Sequence, residues 1–350
     1  MNKKYFWNFL LIIAMTVLVL YVSLKDDFDT VMKAITSMNP WMLGLVIIWG
    51  ALYTIVWGGA FYVLGKSVQP KYKLWDGVLC AFVGAFFAGI TPSSTGGQFG
   101  QAYVLKKQGI SYADGASILW ADFVIYQTTM MIIVTILFAL YFPVLISQSN
   151  WFYLCIIGYF VNVCVVLGLY TMALFPRFYV WLAGWGVKLL GRMHILKDPE
   201  AMKEKWLTQL NEFTGEIQKL SSEKKVLVQC FWINVVRLLL LYSLPYFVTL
   251  GMGIQENPGQ IVEVVALSSF VSMANSFIPI PGASGGTEMM FNVLFSPLYG
   301  KLTNAVMILW RASSYYVVLA LGGLLFMLAK LYYDRRDARL EKKRQKQGIT

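Results

Sequence analysis

Four ionisable side chains stand well inside apolar stretches of this chain: Asp122, Arg237, Glu288 and Arg311. A charge at the centre of a membrane span costs about 2.5 to 3.5 kcal/mol on insertion scales, so such groups turn inward and mark substrate pathways by default. Gln98, Gln101, Asn234 and Asn275 add amides in or beside the same stretches. Cationic and amide donors, with the N-termini of broken helices, suit a phosphate or another anionic head group. The structural alternative is an ion pair, Asp122 with Arg311 or Glu288 with Arg311, that only holds helices together, with amides bonding from helix to helix. Arginine also snorkels, so Arg237 has a second reading as a shallow, interfacial group. His194 is the single histidine and lies in a Lys/Arg-rich stretch, which excludes a multi-histidine metal site and argues against a histidine-based triad. Cys80, Cys155, Cys164 and Cys230 show no metal-like spacing and read as small core residues. No catalytic residue, metal or cofactor is therefore expected.

These groups cluster around one short pattern that occurs twice. Thr91-Pro-Ser-Ser-Thr-Gly-Gly-Gln98 and Ile280-Pro-Gly-Ala-Ser-Gly-Gly-Thr-Glu288 each carry a proline, three small residues and a glycine pair: Pro92 with Gly96 and Gly97, Pro281 with Gly285 and Gly286. Proline and paired glycines end a helix, one by removing a donor and the other by freeing the backbone. Two such breaks at matching places in hydrophobic sequence point to a transporter site built from discontinuous helices; two ordinary loops between spans are the plain alternative. Asp122 lies 30 residues after Pro92, and Arg311 lies 30 after Pro281. A pseudo-twofold axis would then bring an acid and a base together.

The elements that position these residues are membrane spans. The 350 residues are 58% hydrophobic and 13% charged, with a mean hydropathy of +0.60, far from the soluble average of about 25% charged. The fold class is an all-α polytopic membrane protein, with about eight spans and two broken or re-entrant Gly/Pro helices in inverted repeats. Phe6 to Leu24 reads as a retained first span, and residues 1–333 as the membrane domain. Repeat one covers about residues 41–144, repeat two about 228–331, and an amphipathic cytoplasmic insert covers 176–225. Residues 334–350 form a polybasic tail suited to the inner leaflet. The net charge of +11 is thus explained by flanks and tail, and no nucleic-acid module is visible. If both motif regions make one net crossing, Lys106-Lys107, the Arg177 to Lys225 block and the tail all face one side, as the positive-inside rule requires. The two crossings then run in opposite directions, and both termini are cytoplasmic.

The two motifs, with Lys106-Lys-Gln-Gly-Ile110, Trp310-Arg311 and Tyr315-Tyr316, resemble the lysylphosphatidylglycerol synthase membrane-domain family, also described as flippase-like. The resemblance implies an integral fold of spans and re-entrant helices that moves lipids between leaflets of the bacterial cytoplasmic membrane. It also implies, for full-length relatives, a soluble aminoacyl transferase module that loads lysine onto phosphatidylglycerol. This chain reads as a stand-alone member without that module, so synthase activity is not expected of it. Many members carry Gly-Glu and then Arg after the first motif, where this chain has Gly100-Gln101 and then Tyr103.

The leading expectation is a flippase for a phospholipid, aminoacylated phosphatidylglycerol among them, or for a glycolipid. The alternatives are a lysyltransferase-related protein of lipid metabolism and cationic peptide resistance, and a secondary transporter of a small anion. Membrane lipids are the expected partners, a separate lipid-modifying enzyme is a further one, and a homo-oligomer stays open. The pathway residues assigned are Pro92, Gly96, Gly97, Gln98, Gln101, Asp122, Arg237, Pro281, Gly285, Gly286, Glu288 and Arg311.

Overall fold

The computed structural model describes residues 38–91, 96–148, 152–175, 217–254, 257–275 and 285–346, with isolated positions between them. The first apolar stretch, most of the 176–225 insert, and Pro92 and Pro281 lie outside the described residues. Every element among the described residues is helical. They are α1 (Pro40–Val68), α2 (Leu74–Ile90), α3 (Gly96–Lys107), α4 (Tyr112–Gln148), α5 (Phe152–Leu174), α6 (Lys224–Gly251), α7 (Gln260–Asn275) and α8 (Gly286–Tyr299). A 3-10 turn (Gly300–Leu302), α9 (Thr303–Arg311), a π-helical stretch (Ala312–Val317) and α10 (Val318–Lys346) follow. Four of these helical stretches are long and apolar enough to cross a bilayer: Pro40–Val68, Tyr112–Tyr141, Lys224–Gly251 and Gly286–Leu340.

Local chemistry sets the helix ends. Asn39 caps α1 by accepting the Trp41 N–H at 2.9 Å, with Pro40 in the first turn where its missing donor costs nothing. The Asp76 carboxylate reaches back to the Lys73 N–H at 3.1 Å to start α2. Ser111 caps α4, its hydroxyl accepting from the Asp114 N–H at 3.1 Å.

The two helices that flank the first broken motif pack as a hairpin. α2 and α3 hold 17 and 12 residues, about 25 and 18 Å of helix, which falls short of the roughly 30 Å hydrocarbon core. They run antiparallel. A Cβ on Gly97 would meet Gly84 and Ala88, Gly100 faces Phe87, and Gln101 faces Gly84. At the open end the Gln108 amide donates to the Asp76 carbonyl at 2.9 Å, and the Tyr72 hydroxyl donates to Gln108 at 2.8 Å. This fits the re-entrant alternative for the first motif rather than a net crossing: Leu74 to Ile90 and Gly96 to Lys107 are the two arms of one hairpin, each cut short at the Pro/Gly break. Lys106-Lys107 still returns to the side of Lys73.

That side is the basic end of the bundle. α1 and α6 are antiparallel neighbours: Cys230 faces Ala60, Arg237 faces Tyr53, and Trp49 donates to the Leu240 carbonyl at 2.7 Å. Lys66 and Glu223 accordingly share one groove. α10 runs down α2, with Gly322 against Phe82 and Phe86, and reaches the same end. There Lys107 pairs with Asp337 at 2.6 Å and Arg336 donates to the Lys107 carbonyl at 2.7 Å. The basic tail therefore begins as the last turns of α10.

Two large core clusters, with a small third of Val78, Phe82 and Val318, lie among the described residues. One, at the basic end, contains Phe61, Leu64, Phe86, Leu105, Phe326 and Tyr333. The other, away from it, contains Tyr242, Phe270, Phe291, Phe295, Val306 and Trp310. Each motif's arms lie in a different cluster. In the second, Phe291 stacks on Phe295 at 4.1 Å and on Trp310 at 5.1 Å, fixing α8 against α9.

Candidate functional site

Each motif closes on a side chain of its own. In the first, the Thr91 hydroxyl donates to the Phe87 carbonyl at 2.7 Å and accepts the Gly96 N–H at 2.8 Å, joining the end of α2 to the start of α3. A Cβ on Gly96 would run into that threonine, so the site requires glycine. In the second, Gly285 takes φ +84, and the Glu288 carboxylate accepts its N–H at 2.6 Å to cap α8.

The described flanks of the two motifs are linked through Arg311 at the end of α9 and Tyr315 in the π-helical stretch. Arg311, the last residue of α9, holds Glu288 through Nη2 at 2.8 Å and Nε at 3.0 Å. Tyr315, one turn on, donates its hydroxyl to the Gly89 carbonyl at 2.9 Å, next to the first tip. Arg311 lies over the Tyr315 ring at 4.7 Å. The Glu288–Arg311 pair of the structural alternative therefore exists, and it also links the tips. Charge-assisted bonds of this kind are worth about 1.5 to 3 kcal/mol. A π-helical stretch marks functional places with unusual frequency. Here Ser313, inside it, bonds both the Val46 carbonyl and the Gly50 N–H of α1.

Asp122 and Arg237 form a second buried cluster. They are only 7% and 5% exposed. Asp122 accepts from the Trp57 indole at 3.0 and 3.3 Å, so its partner is not Arg311. The matched 30-residue spacing does not bring acid and base into contact, because α4 faces α1 and α6 at this level rather than α9. Arg237 donates to Asn234 at 3.2 Å and to Tyr53 at 3.0 Å. Its guanidinium lies over three rings, Trp57 at 4.1 Å, Tyr126 at 4.6 Å and Tyr53 at 5.0 Å, each worth about 0.5 to 2 kcal/mol. This depth rules out snorkelling for Arg237. Tyr53 and Trp57, Asp122 and Tyr126, and Asn234 and Arg237 are pairs three or four residues apart on α1, α4 and α6. Inward-facing polar and aromatic pairs at helical spacing are the signal that would have revealed Trp57, Tyr53 and Tyr126.

The remaining assigned residues separate. Gln101 is buried with its side-chain nitrogen unpaired against Gly84. Gln98 points to the exposed face of α3, in neither cluster. The Asn275 side chain, like Pro92 and Pro281, is outside the described residues. No group of metal-ligating side chains occurs among the described residues.

Beside the Asp122 stretch lies a cavity of about 660 Å³, lined by Trp120, Val124 and Thr128 of α4, Tyr170 and Leu174 of α5, Ile217, Leu220 and Ser221 ahead of α6, and Val228 and Phe231 of α6. Its walls are mostly apolar, and Leu174 and Val228 on its rim are exposed.

The family model described as "lysylphosphatidylglycerol synthase TM region" matches residues 7–322, and the chain belongs to that family of integral membrane proteins. It is also similar to an uncharacterised protein of Mycoplasma genitalium, 21% identical over 93% of this chain and 88% of that protein. No solved structure matches it.

Proposed function

We propose that this protein translocates a phospholipid or glycolipid between the leaflets of the bacterial cytoplasmic membrane. The family supports a lipid-related membrane function. The observation that carries the finer reading is that neighbouring residues of one helical stretch reach the flanks of both motifs, Arg311 holding Glu288 and Tyr315 bonding the Gly89 carbonyl. Opposed breaks around a fixed charged site suit inverted repeats that rock against each other. In this reading α1 to α4 make up one repeat, and α6, α7, α8 and the long α9–α10 helix the other. The head group would pass the Arg311 and Arg237 region while the chains stay in lipid. The lateral apolar cavity between α4, α5 and α6 favours a lipid over a soluble anion. The basic end is then cytoplasmic by the positive-inside rule, and both termini with it. Aminoacylated phosphatidylglycerol is one candidate cargo, supplied by a separate lipid-modifying enzyme.

Leaflet-resolved lipid analysis of cells with and without the protein tests this reading. One phospholipid or glycolipid class should change its outer-leaflet share while its total amount stays constant. A changed total with an unchanged distribution would replace the flippase reading with an enzymatic one.

A further inference from the structure

We propose that Asp122 is an exchangeable proton site and that lipid movement is coupled to the proton it carries; the coupling rests on the lipid reading above, whereas the proton site stands alone. Asp122 and Glu288 are the carboxylates of the two polar clusters, and they are held in opposite ways. Glu288 is bonded by Arg311 and by the Gly285 N–H, so adding a proton would break the ion pair and weaken the cap of α8. Asp122 has the Trp57 indole as its donor and makes no direct ion pair with Arg237 among the described residues. Arg237 is near enough to attract it, yet gives Nη1 to Asn234 and Nη2 to Tyr53 and its faces to three aromatic rings, with its buried Nε left without an acceptor.

The consequence is chemical. Neutralising Asp122 leaves the guanidinium supplied with two oxygens and three π faces, and the Trp57 N–H can donate to either form of the carboxyl. The cage therefore tolerates both charge states, which a tight ion pair does not. The titratable groups facing Asp122 are Arg237 and Cys230 from α6, Cys80 from α2 and Tyr126 from its own helix, while Tyr53 of α1 faces Arg237. Cys80 and Cys230 are buried thiols. Arg237 is thus the cation whose attraction a bound proton would cancel. The proton comes from water and returns to water, and only one O–H bond forms and breaks. Coupling has a physical route, because α1 carries both Trp57 of the cage and Gly50, whose N–H bonds Ser313 beside Arg311.

The test is infrared difference spectroscopy on the full chain in liposomes, stepping the pH and following the carboxylic C=O band. Wild type should gain a band on acidification that Asp122→Asn lacks and Glu288→Gln keeps. Asp122→Glu should keep the band with a displaced midpoint, which decides the matter if the asparagine variant fails to fold. A band that survives in Asp122→Asn, or a midpoint indifferent to Asp122→Glu, would overturn the proton site. In the same liposomes an imposed pH gradient should speed lipid translocation severalfold in wild type and not in Asp122→Asn. A rate indifferent to the gradient would overturn the coupling, and if no lipid moves under any gradient the coupling falls with the lipid reading while the infrared titration still decides the site.

Discussion

Arg311 lies over the ring of Tyr315 with its guanidinium carbon 4.7 Å from the centroid, and between them these two residues reach both broken motifs. One holds Glu288 and the other the Gly89 carbonyl. Removing the Tyr315 hydroxyl should cost about 1 kcal/mol, the usual worth of a neutral hydrogen bond. Glu288→Gln should cost more, about 3 kcal/mol, because it removes the carboxylate charge that the buried Arg311 holds at 2.8 and 3.0 Å. Thermal unfolding in detergent micelles checks the order of the two variants; an equal cost would mean that the ion pair is not what joins the tips.

Gly50 provides a test of the packing beneath that site. A Cβ there would strike the Ser313 carbonyl, which is backbone and cannot swing away. Gly50→Ala should therefore destabilise by at least the 1 to 3 kcal/mol typical of overpacking, whereas Gly44→Ala, where nothing lies within 4 Å, should be neutral or slightly stabilising. Matched melting curves for the two variants provide the comparison.

At the basic end the expected effect is small. The Lys107–Asp337 pair is 2.6 Å long, but its side chains are 28% and 36% exposed, and pairs in such settings contribute about 0 to 1 kcal/mol. Asp337→Ala should leave the melting temperature nearly unchanged. A large drop would show that α10 depends on this contact to dock on the first hairpin.

Sidedness follows from the antiparallel arms. Cysteines placed at Lys107 and Lys224, in a variant without the four native cysteines, should both resist membrane-impermeant thiol reagents in intact cells. Labelling of one but not the other would contradict the shared basic end.

Much of this was legible in the sequence because it depends on local chemistry. Pro92 with Gly96-Gly97 and Pro281 with Gly285-Gly286 interrupt a helix by local chemistry, and α2 does end at Ile90 with α3 starting at Gly96. Glu288 with Arg311 was readable as one of two possible pairs. The Asp122 environment was not. It depends on which helices become neighbours, and equal spacing from the two prolines pointed to Arg311 while packing of α4 against α1 and α6 delivered Trp57 and Arg237. The hairpin was only half legible for a related reason: the break after Ile90 is written in the sequence, but the return of α3 along α2 depends on contacts such as Gln101 against Gly84.

The most direct measurement is lipid translocation by the purified full chain in liposomes containing head-group-labelled lipids, read by an impermeant quencher. With wild type, the protected fraction of at least one anionic phospholipid or lipid-linked sugar should fall over time, while Glu288→Gln and Arg311→Ala, present in the membrane at equal amounts, should leave it unchanged. If folded wild-type protein moves none of these lipids, with or without an ion gradient, or if both variants move them as wild type does, the flippase built on the joined tips is contradicted.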